Sequence, residues 1–352
     1  MMKNLPCISV ILPIRNEAAY IECCLSAILA QDYPGEIEIL VVDGMSTDNT
    51  RQKVKQLTIQ RSTINIQLID NPGKIVPTGI NIALRQAKGE IIIRVDGHTL
   101  IAPDYVRRCV ESLQRTKADN VGGRMNAIGT STFGKAVALA TSTPFGIGGG
   151  RFHFSEKEEW VDTVYMGAWP RQVFEKIGLF DEELVRDQDD EFNYRLRAAG
   201  GKILLSPDIQ SEYTVRSTPR ALWRQYFQYG FWKVRVLQKH PRQMSLRQFI
   251  PPLFVLALLF SIILAFIPFP NFILHPASFI PLSYLLANLA ASVLTISRAQ
   301  KNNQFPFTIY HLLLPFTFAI LHLSYGSGFL LGLVKFWNRW ADKKGKTPVW
   351  ES

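Results

Sequence analysis

Residues 8–14 read ISVILPI, and residues 37–44 read IEILVVDG. Neither alternates polar with apolar side chains. Such runs form strands buried on both faces of a parallel sheet. After the first run, Ile21, Cys24, Leu25 and Ile28 recur at helical spacing, and Tyr33-Pro34-Gly35 closes a turn. After the second, Ser46 and Thr47 stand where a helix cap belongs, with Val54 and Leu57 inward. INIQLID (residues 64–70) reads as a third strand. NPGK (residues 71–74) turns the chain, and Pro77 opens a helix carrying Ile80, Ala83, Leu84 and Ala87. Lys88-Gly89 ends that helix. IIIRVDGH (residues 91–98) reads as a fourth strand. Strands alternating with helices predict a doubly wound α/β sheet.

In such sheets ligands bind beyond the carboxyl ends of the strands. Those ends are Arg15-Asn16-Glu17, Asp43-Gly44, Asp70-Asn71 and Asp96-Gly97-His98. Polar, mostly acidic groups therefore gather on one rim. No G-x-G-x-x-G follows a strand, which disfavours the usual dinucleotide fold, and no G-x-x-x-x-G-K-[ST] occurs, which excludes the P-loop. An acidic rim repels a bare pyrophosphate, and a divalent cation resolves that conflict. Asp96 and His98, two apart at a strand end, are expected to point the same way. They offer one oxygen and one nitrogen to a metal bridging two phosphates. Magnesium prefers oxygen throughout, so the imidazole tilts the choice toward manganese. The plainer alternative is that Asp96 caps a turn and His98 is a surface histidine. Arg94 interrupts the apolar run just before them.

GIGGGRFHFSEKEEW (residues 146–160) is too glycine-rich for a stable helix or strand. It reads as a loop that orders over a ligand or as a surface linker. Phe192, Leu196 and Ala199 mark a later helix, ended by Gly200-Gly201. Ahead of it, DQDDE (residues 187–191) places four carboxylates within five residues. Acidic groups suit a helix N-terminus, but four exceed what a cap needs.

The net charge of the 352 residues is +10. The basic residues form no uniform nucleic-acid-like coat. Eight lie between Arg216 and Arg247, before the first long apolar run: Arg216, Arg220, Arg224, Lys233, Arg235, Lys239, Arg242 and Arg247. Basic flanks mark the cytoplasmic side of a span and attract anionic headgroups. The four cysteines form no CxxC pair, which disfavours zinc and a disulfide framework, and Cys23 and Cys24 read as helix packing residues. Residues 250–267 and 279–297 are each long enough to cross a bilayer. The apolar region 308–336 contains Gly326, Gly328 and Gly332 and reads either as one tilted helix or as a broken pair.

SVILPIRNE, ILVVDGMSTDNT, IIIRVDGHT, GAWPRQVFEKIGLFDEEL and DQDDEFNYRLRAAG occur in that order. Together they resemble the inverting glycosyltransferases of family 2. The likeness is to membrane-bound glucosyltransferases that extend lipid-linked exopolysaccharide, such as succinoglycan. It implies a nucleotide-sugar-binding fold of the GT-A type over residues 1–240, facing the cytoplasm at the inner membrane. Residues 241–352 are then a multi-pass helical membrane anchor. It implies Glu17 and Asp43 at the uracil and ribose, with Asp48 on the same loop. Asp96 and His98 take the place of the family's Asp-x-Asp metal motif, holding Mn2+ or Mg2+. Asp189 stands where the family has its catalytic aspartate, and Gln188 replaces the preceding Glu. The processive signature Gln-x-x-Arg-Trp appears only as Gln228-Tyr-Gly-Phe231-Trp232. The implied reaction moves one sugar, glucose from UDP-glucose, to a lipid-linked saccharide. The rivals are a processive synthase, a transferase to another lipid, and an inactive scaffold that binds nucleotide sugars.

Overall fold

The computed structural model describes residues 5–60, 65–267, 276–300, 309–343 and 345–350. β1 (Ile8–Ile14), α1 (Ile21–Leu29), β2 (Ile37–Asp43), α2 (Thr50–Gln60), β3 (Asn65–Asp70), α3 (Val76–Gln86) and β4 (Ile91–Arg94) alternate as the sequence implies. Next come β5 (Thr99–Ile101), α4 (Tyr105–Thr116), β6 (Asn120–Ile128), α5 (Thr132–Thr141) and α6 (Pro144–Ile147). They are followed by β7 (Glu159–Trp160), β8 (Tyr165–Pro170), α7 (Gln172–Ile177), α8 (Gln188–Ala198) and β9 (Ile203–Thr214). The remaining helices are α9 (Pro219–Lys239), α10 (Ile250–Leu264), α11 (Phe279–Gln300) and α12 (Tyr310–Lys335). The glycine-rich segment is thus not wholly irregular: it holds the last turn of α6, a 3₁₀ turn at Arg151–His153 and the short β7.

The chain forms two compact units. One comprises Met1–Asn126, Gly150–Thr214 and Lys344–Ser352, the other Ala127–Gly149 and Val215–Lys343.

The first unit is built on a mixed sheet in the order β3-β2-β1-β4-β8-β6-β9-β5, with β7 also paired to β9. β3, β2, β1 and β4 are parallel. β8 runs antiparallel to β4 and β6, and β5 antiparallel to β9. Alternate residues of β1 serve opposite faces. Val10, Leu12 and Ile14 join Ile21, Cys24, Leu25 and Ile28 of α1 in one core, and Ile11 joins Ile80 and Leu84 of α3 in the other. Cys24 is buried and Cys23 exposed, so only one of the paired cysteines packs.

At the amino end of the sheet, the buried Glu38 accepts from the chain that leaves α3 and from β1. Its Oε1 accepts from Ser9 Oγ at 2.5 Å, Lys88 N at 2.5 Å and Gly89 N at 3.3 Å. Gly89 permits this, because a Cβ there would lie 2.4 Å from Ser9 N. Glu38→Leu is expected to strand those donors and to cost on the order of 3 kcal/mol. A thermal melt checks it; an unchanged melting temperature contradicts the assignment.

In the second unit, α12 is one continuous helix through Gly326, Gly328 and Gly332. The glycines are packing sites, not breaks. A Cβ on Gly328 would lie 2.0 Å from Phe227 O, and one on Gly332 would lie 2.6 Å from Phe231 O, both on α9. Gly230 of α9 answers them, its Cβ position lying 2.0 Å from Tyr325 O. Small residues that let backbones meet are the usual glue of helices in lipid. His322 of α12 joins this unit's polar contacts, with Nε2 2.7 Å from Phe145 O and Nδ1 2.9 Å from Tyr284 Oη. A carbonyl only accepts, so Nε2 carries a proton and donates to Phe145 O.

Three helical stretches, Leu246–Leu264, Phe279–Gln300 and Tyr310–Lys335, are long and apolar enough to cross a membrane. α10 and α11 expose Leu253, Leu256, Phe260, Leu282 and Leu286, an apolar surface that lipid covers and water does not. The basic flank is divided. Arg220, Arg224, Arg242 and Arg247 are exposed, but Lys233, Arg235 and Lys239 are buried. Arg235 donates to Gln238 Oε1 at 2.5 Å and to the Arg339 and Asp342 carbonyls at 3.3 Å. It therefore closes the chain beyond α12 instead of facing headgroups.

Candidate active site

The rim predicted at the strand ends is assembled by the first unit. Of the unit's six described non-glycine residues with left-handed backbone, three follow the parallel strands and one precedes α8: Asn16 after β1, Met45 after β2, Lys74 after β3 and Asp187, with φ of 56°, 57°, 59° and 60°. Strain of that kind collects at ligand sites.

On the β1–β2 side, a hydrogen-bonded web ties the loops together. Asn16 N donates to Ser46 Oγ at 2.8 Å, and Thr47 N donates to Asn16 Oδ1 at 2.8 Å. The fully buried Asp43 accepts from Ser46 Oγ at 2.5 Å and from Arg51 Nη1 at 2.7 Å. Arg51 also reaches Asp70 at 2.7 Å, linking the ends of β2 and β3. Asp48, not Ser46 or Thr47, starts α2: its Oδ1 accepts from Thr50 N at 3.0 Å, while its Oδ2 accepts from Ala18 N at 3.2 Å. Partial burial raises the Asp48 pKa, but these bonds outweigh it and leave the carboxyl below its ordinary range. Glu17 N donates to Thr50 Oγ1 at 2.8 Å.

β4 ends at Arg94, so Asp96 and His98 do not sit on a strand as the spacing implied. A turn carries them, closed by Thr99 N to Asp96 O at 2.9 Å. Gly97 is required there, since a Cβ would lie 2.7 Å from Ile14 Cγ2 and 3.1 Å from Glu17 Cγ. His98 Nδ1 is 3.0 Å from Glu17 Oε1, and its ring meets those of Tyr20 and Tyr213 edge-on. Asp96 Oδ1 accepts from Arg94 Nε at 2.8 Å.

α8 brings Asp189 in from the far end of the unit. Glu191, itself buried, pairs with Arg195 at 2.7 Å, and Arg195 donates to the carbonyls of Ile177 and Leu179, each at 2.7 Å. Phe192 stacks on Phe180, and Trp169 packs beside them. Trp169 is thus part of the core. Of the four carboxylates, only Asp187 precedes this helix; Asp189, Asp190 and Glu191 make its first turn, and Glu191 anchors it. Burial pushes the Asp189 carboxyl up, Arg94 pulls it back, and Asp190 and Asp96 push it further. The charges of Arg94 and Asp96 thus bear on Asp189, although α8 lies far along the chain.

The Asp189 shift carries a sign for stability. An unfolded carboxyl ionises near pH 4, and in the fold it resists ionising until higher pH. Stability therefore falls as pH rises through that window. Asp189→Asn is expected to melt a few degrees above wild type at about pH 8, the gap closing near pH 4. Equal melting temperatures at about pH 8 would contradict a carboxyl that resists ionising in the fold.

The Glycosyl transferase family 2 model matches residues 9–178. Dolichyl N-acetyl-alpha-D-glucosaminyl phosphate 3-beta-D-2,3-diacetamido-2,3-dideoxy-beta-D-glucuronosyltransferase of Methanococcus voltae is 32% identical over 239 residues, covering 66% of this chain and 74% of that protein. The chain belongs to glycosyl transferase family 2. The succinoglycan biosynthesis protein ExoA of Rhizobium meliloti (strain 1021) is 28% identical over 332 residues, 94% of this chain and 96% of that protein. Among solved structures, the mannosyltransferase PcManGT from Pyrobaculum calidifontis, in complex with GDP-Man and Mn2+, is similar in fold. It is 21% identical, with a TM-score of 0.56, over 92% of this chain and 87% of that one. The first unit of this glycosyltransferase therefore has the GT-A-like fold that its motifs imply.

The donor set of this family 2 enzyme suits a divalent cation. Among the described residues no three His, Cys, Asp or Glu side chains converge as a ligand cage. None is needed, because a cation of this class takes one or two protein ligands and completes its shell with substrate phosphates and water. Among the described residues, Asp96 Oδ2 has no hydrogen-bond donor. A carboxylate at His98 Nδ1 favours the proton there and leaves the lone pair on Nε2, the arrangement of a metal-binding histidine. The Glu17 contact to His98 was not visible in the sequence, and neither was the clasp of Asp43 by Arg51.

Proposed function

We propose that this enzyme is an inverting, metal-dependent transferase. It would move one sugar, glucose from a UDP-sugar, to a membrane-lipid-linked saccharide in exopolysaccharide assembly. What supports the reading is the half-buried Asp189 carboxyl at the start of α8, on which the charges of Arg94 and Asp96 bear. Inversion by direct displacement needs a carboxylate to take the acceptor hydroxyl's proton, and no covalent nucleophile. Asp189 fills that role. Asp96 and His98 would hold Mn2+ or Mg2+, which would stabilise the departing diphosphate. Glu17, Asp43 and Asp48 form the nucleotide side. Asp43 and Asp48 act there through the loops they brace, and Glu17 also orients His98.

The likeness to ExoA, and to a relative whose name gives a dolichyl sugar phosphate as acceptor, supports a lipid-linked acceptor. Phe231 in place of the processive arginine supports a single addition. The apolar helices and the cytosolic pool of nucleotide sugars support residues 1–240 as a cytoplasmic transferase region and 241–352 as its inner-membrane anchor.

Nucleotide release from a panel of UDP-sugars tests the reading, with the full chain in native membranes containing manganese. Release from one sugar, lost with chelator and reduced about 100-fold or more in Asp96→Ala, is the expected result. Release that persists with chelator and in Asp96→Ala removes the metal assignment.

A further inference from the structure

The last described residues do not stay with the apolar helices they follow. Residues 345–350 belong to the first unit. Lys346 N donates to the buried Asp181 at Oδ1, 2.9 Å away. Glu182 N donates to Lys346 O at 2.8 Å, and Leu179 N donates to Pro348 O at 3.2 Å. Trp350 lies nearly parallel to Phe174, and the Arg171 guanidinium sits 5.6 Å from the centre of its ring. It packs on the core that holds Trp169 and Phe192. A folded unit with loops and open sheet edges lies on one side of a bilayer, because lipid leaves its backbone groups unpaired. The chain leaves this unit after Thr214 and rejoins it after Lys343. Between those points it therefore crosses an even number of times. Three candidate spans lie there, so they cannot all be crossings.

Contacts inside the second unit show which one is not. α10 proper has 15 residues. It rises about 22 Å, short of a hydrocarbon core of about 30 Å. Were α10 an outward stroke, α11 would start at the far face. Instead Tyr284, in the second turn of α11, stacks on Phe254, in the second turn of α10, with ring centroids 4.2 Å apart. Both helices therefore start at one level. α12 runs back along α11: His322 Nδ1 lies 2.9 Å from Tyr284 Oη, and Asn288 Nδ2 donates to Pro315 O at 3.0 Å. α11 and α12, of 22 and 26 residues, are each long enough to cross.

We propose that α11 and α12 are the two crossings, that α10 enters the bilayer without crossing it, and that the carboxyl-terminal segment lies on the catalytic side, clasped to the transferase unit. The inference rests on reading the apolar helices as the membrane anchor, which then ends before Gly345.

Labelling of single cysteines with a membrane-impermeant maleimide tests it. The full chain, with one accessible cysteine at a time, is labelled in sealed membranes and again after detergent opens them. Cys23, exposed on α1, reports the side of the transferase unit. Val349→Cys, at a position 76% exposed, reports the tail. Ile309→Cys, at a position 50% exposed, reports the start of α12, and Phe266→Cys, at one 84% exposed, the end of α10. Val349→Cys is expected to be labelled or protected together with Cys23, and Ile309→Cys to show the opposite pattern. Phe266→Cys is expected to stay unlabelled from the face that reaches Ile309→Cys. Cys23 and Val349→Cys on opposite faces overturn the proposal. So does Ile309→Cys on the face of Cys23, or Phe266→Cys labelled from the face of Ile309→Cys. Failure of the anchor reading is recognised separately, by a chain that alkaline carbonate strips from the membrane.

Discussion

Asp189→Asn is expected to lower sugar transfer by roughly 10²–10⁴-fold, while nucleotide-sugar binding persists. The asparagine preserves volume and the bond that Asp189 Oδ1 accepts from Asp190 N at 3.0 Å. It removes only the ability to take a proton. The donor-side groups, Glu17, Asp96 and His98, lie on other segments and keep their contacts. Donor affinity measured by titration calorimetry should therefore be close to that of wild type, and single-turnover transfer should be nearly absent. Near-normal turnover would remove Asp189 from the base role. Loss of donor binding together with turnover would mean that the aspartate holds the site's shape instead.

Gly230→Val and Gly328→Val should each abolish recovery of folded protein. In both cases the added Cβ falls 2.0 Å from a backbone carbonyl of the facing helix, Tyr325 O for the first and Phe227 O for the second. A flexible side chain swings aside, but helical backbone does not, so α9 and α12 have to separate. Overpacking of this kind costs about 3 kcal/mol or more, and the buried cluster of Val234, Phe329 and Phe336 beside the crossing opens with it. Gel filtration in detergent reads the outcome as loss of the monodisperse peak. Leu312→Ala, at a position 77% exposed on the same helix, is the control and should leave the peak intact. A monodisperse, active Gly328→Val protein would show that the helices are not held as described.

The parallel half of the sheet was legible because each of its strands announces itself as an apolar run. The antiparallel half was not. β6 reads NVGGRMNAI, whose paired glycines argue against a strand. Yet Gly123 is there because a Cβ would lie 1.5 Å from Ile209 O of β9. β8 hides for a related reason: Met166 and Gly167 carry φ of 60° and 114°, and the pairing of β6 with β8 shifts register there. In the tail, the glycines of α12 carry the same letters whether they break a helix or seat another against it. Only the facing carbonyls of α9 decide.

The site divides in the same way. Asp96 and His98 could be named from their place after an apolar run, although a turn and not strand alternation presents them. Asp189 could be named only through resemblance, since nothing near it in sequence reveals Arg94. The Asp43–Arg51 clasp and the Glu17–His98 contact join residues whose types were noticed but whose partners were not. Such contacts depend on how strand ends meet, which local pattern does not encode. The interruption at Arg94 was visible from the start, but its bond to Asp96 was not.

The most direct test of the central claim is transfer of label to lipid. Membranes holding the full chain are incubated with manganese and each of a panel of radiolabelled nucleotide sugars, and the lipids are extracted and sized. The account predicts label in the lipid fraction from one UDP-sugar, one residue added per acceptor, absent with chelator and in Asp189→Asn. Label that accumulates as a long polymer, or no transfer and no nucleotide release from any sugar, would contradict it.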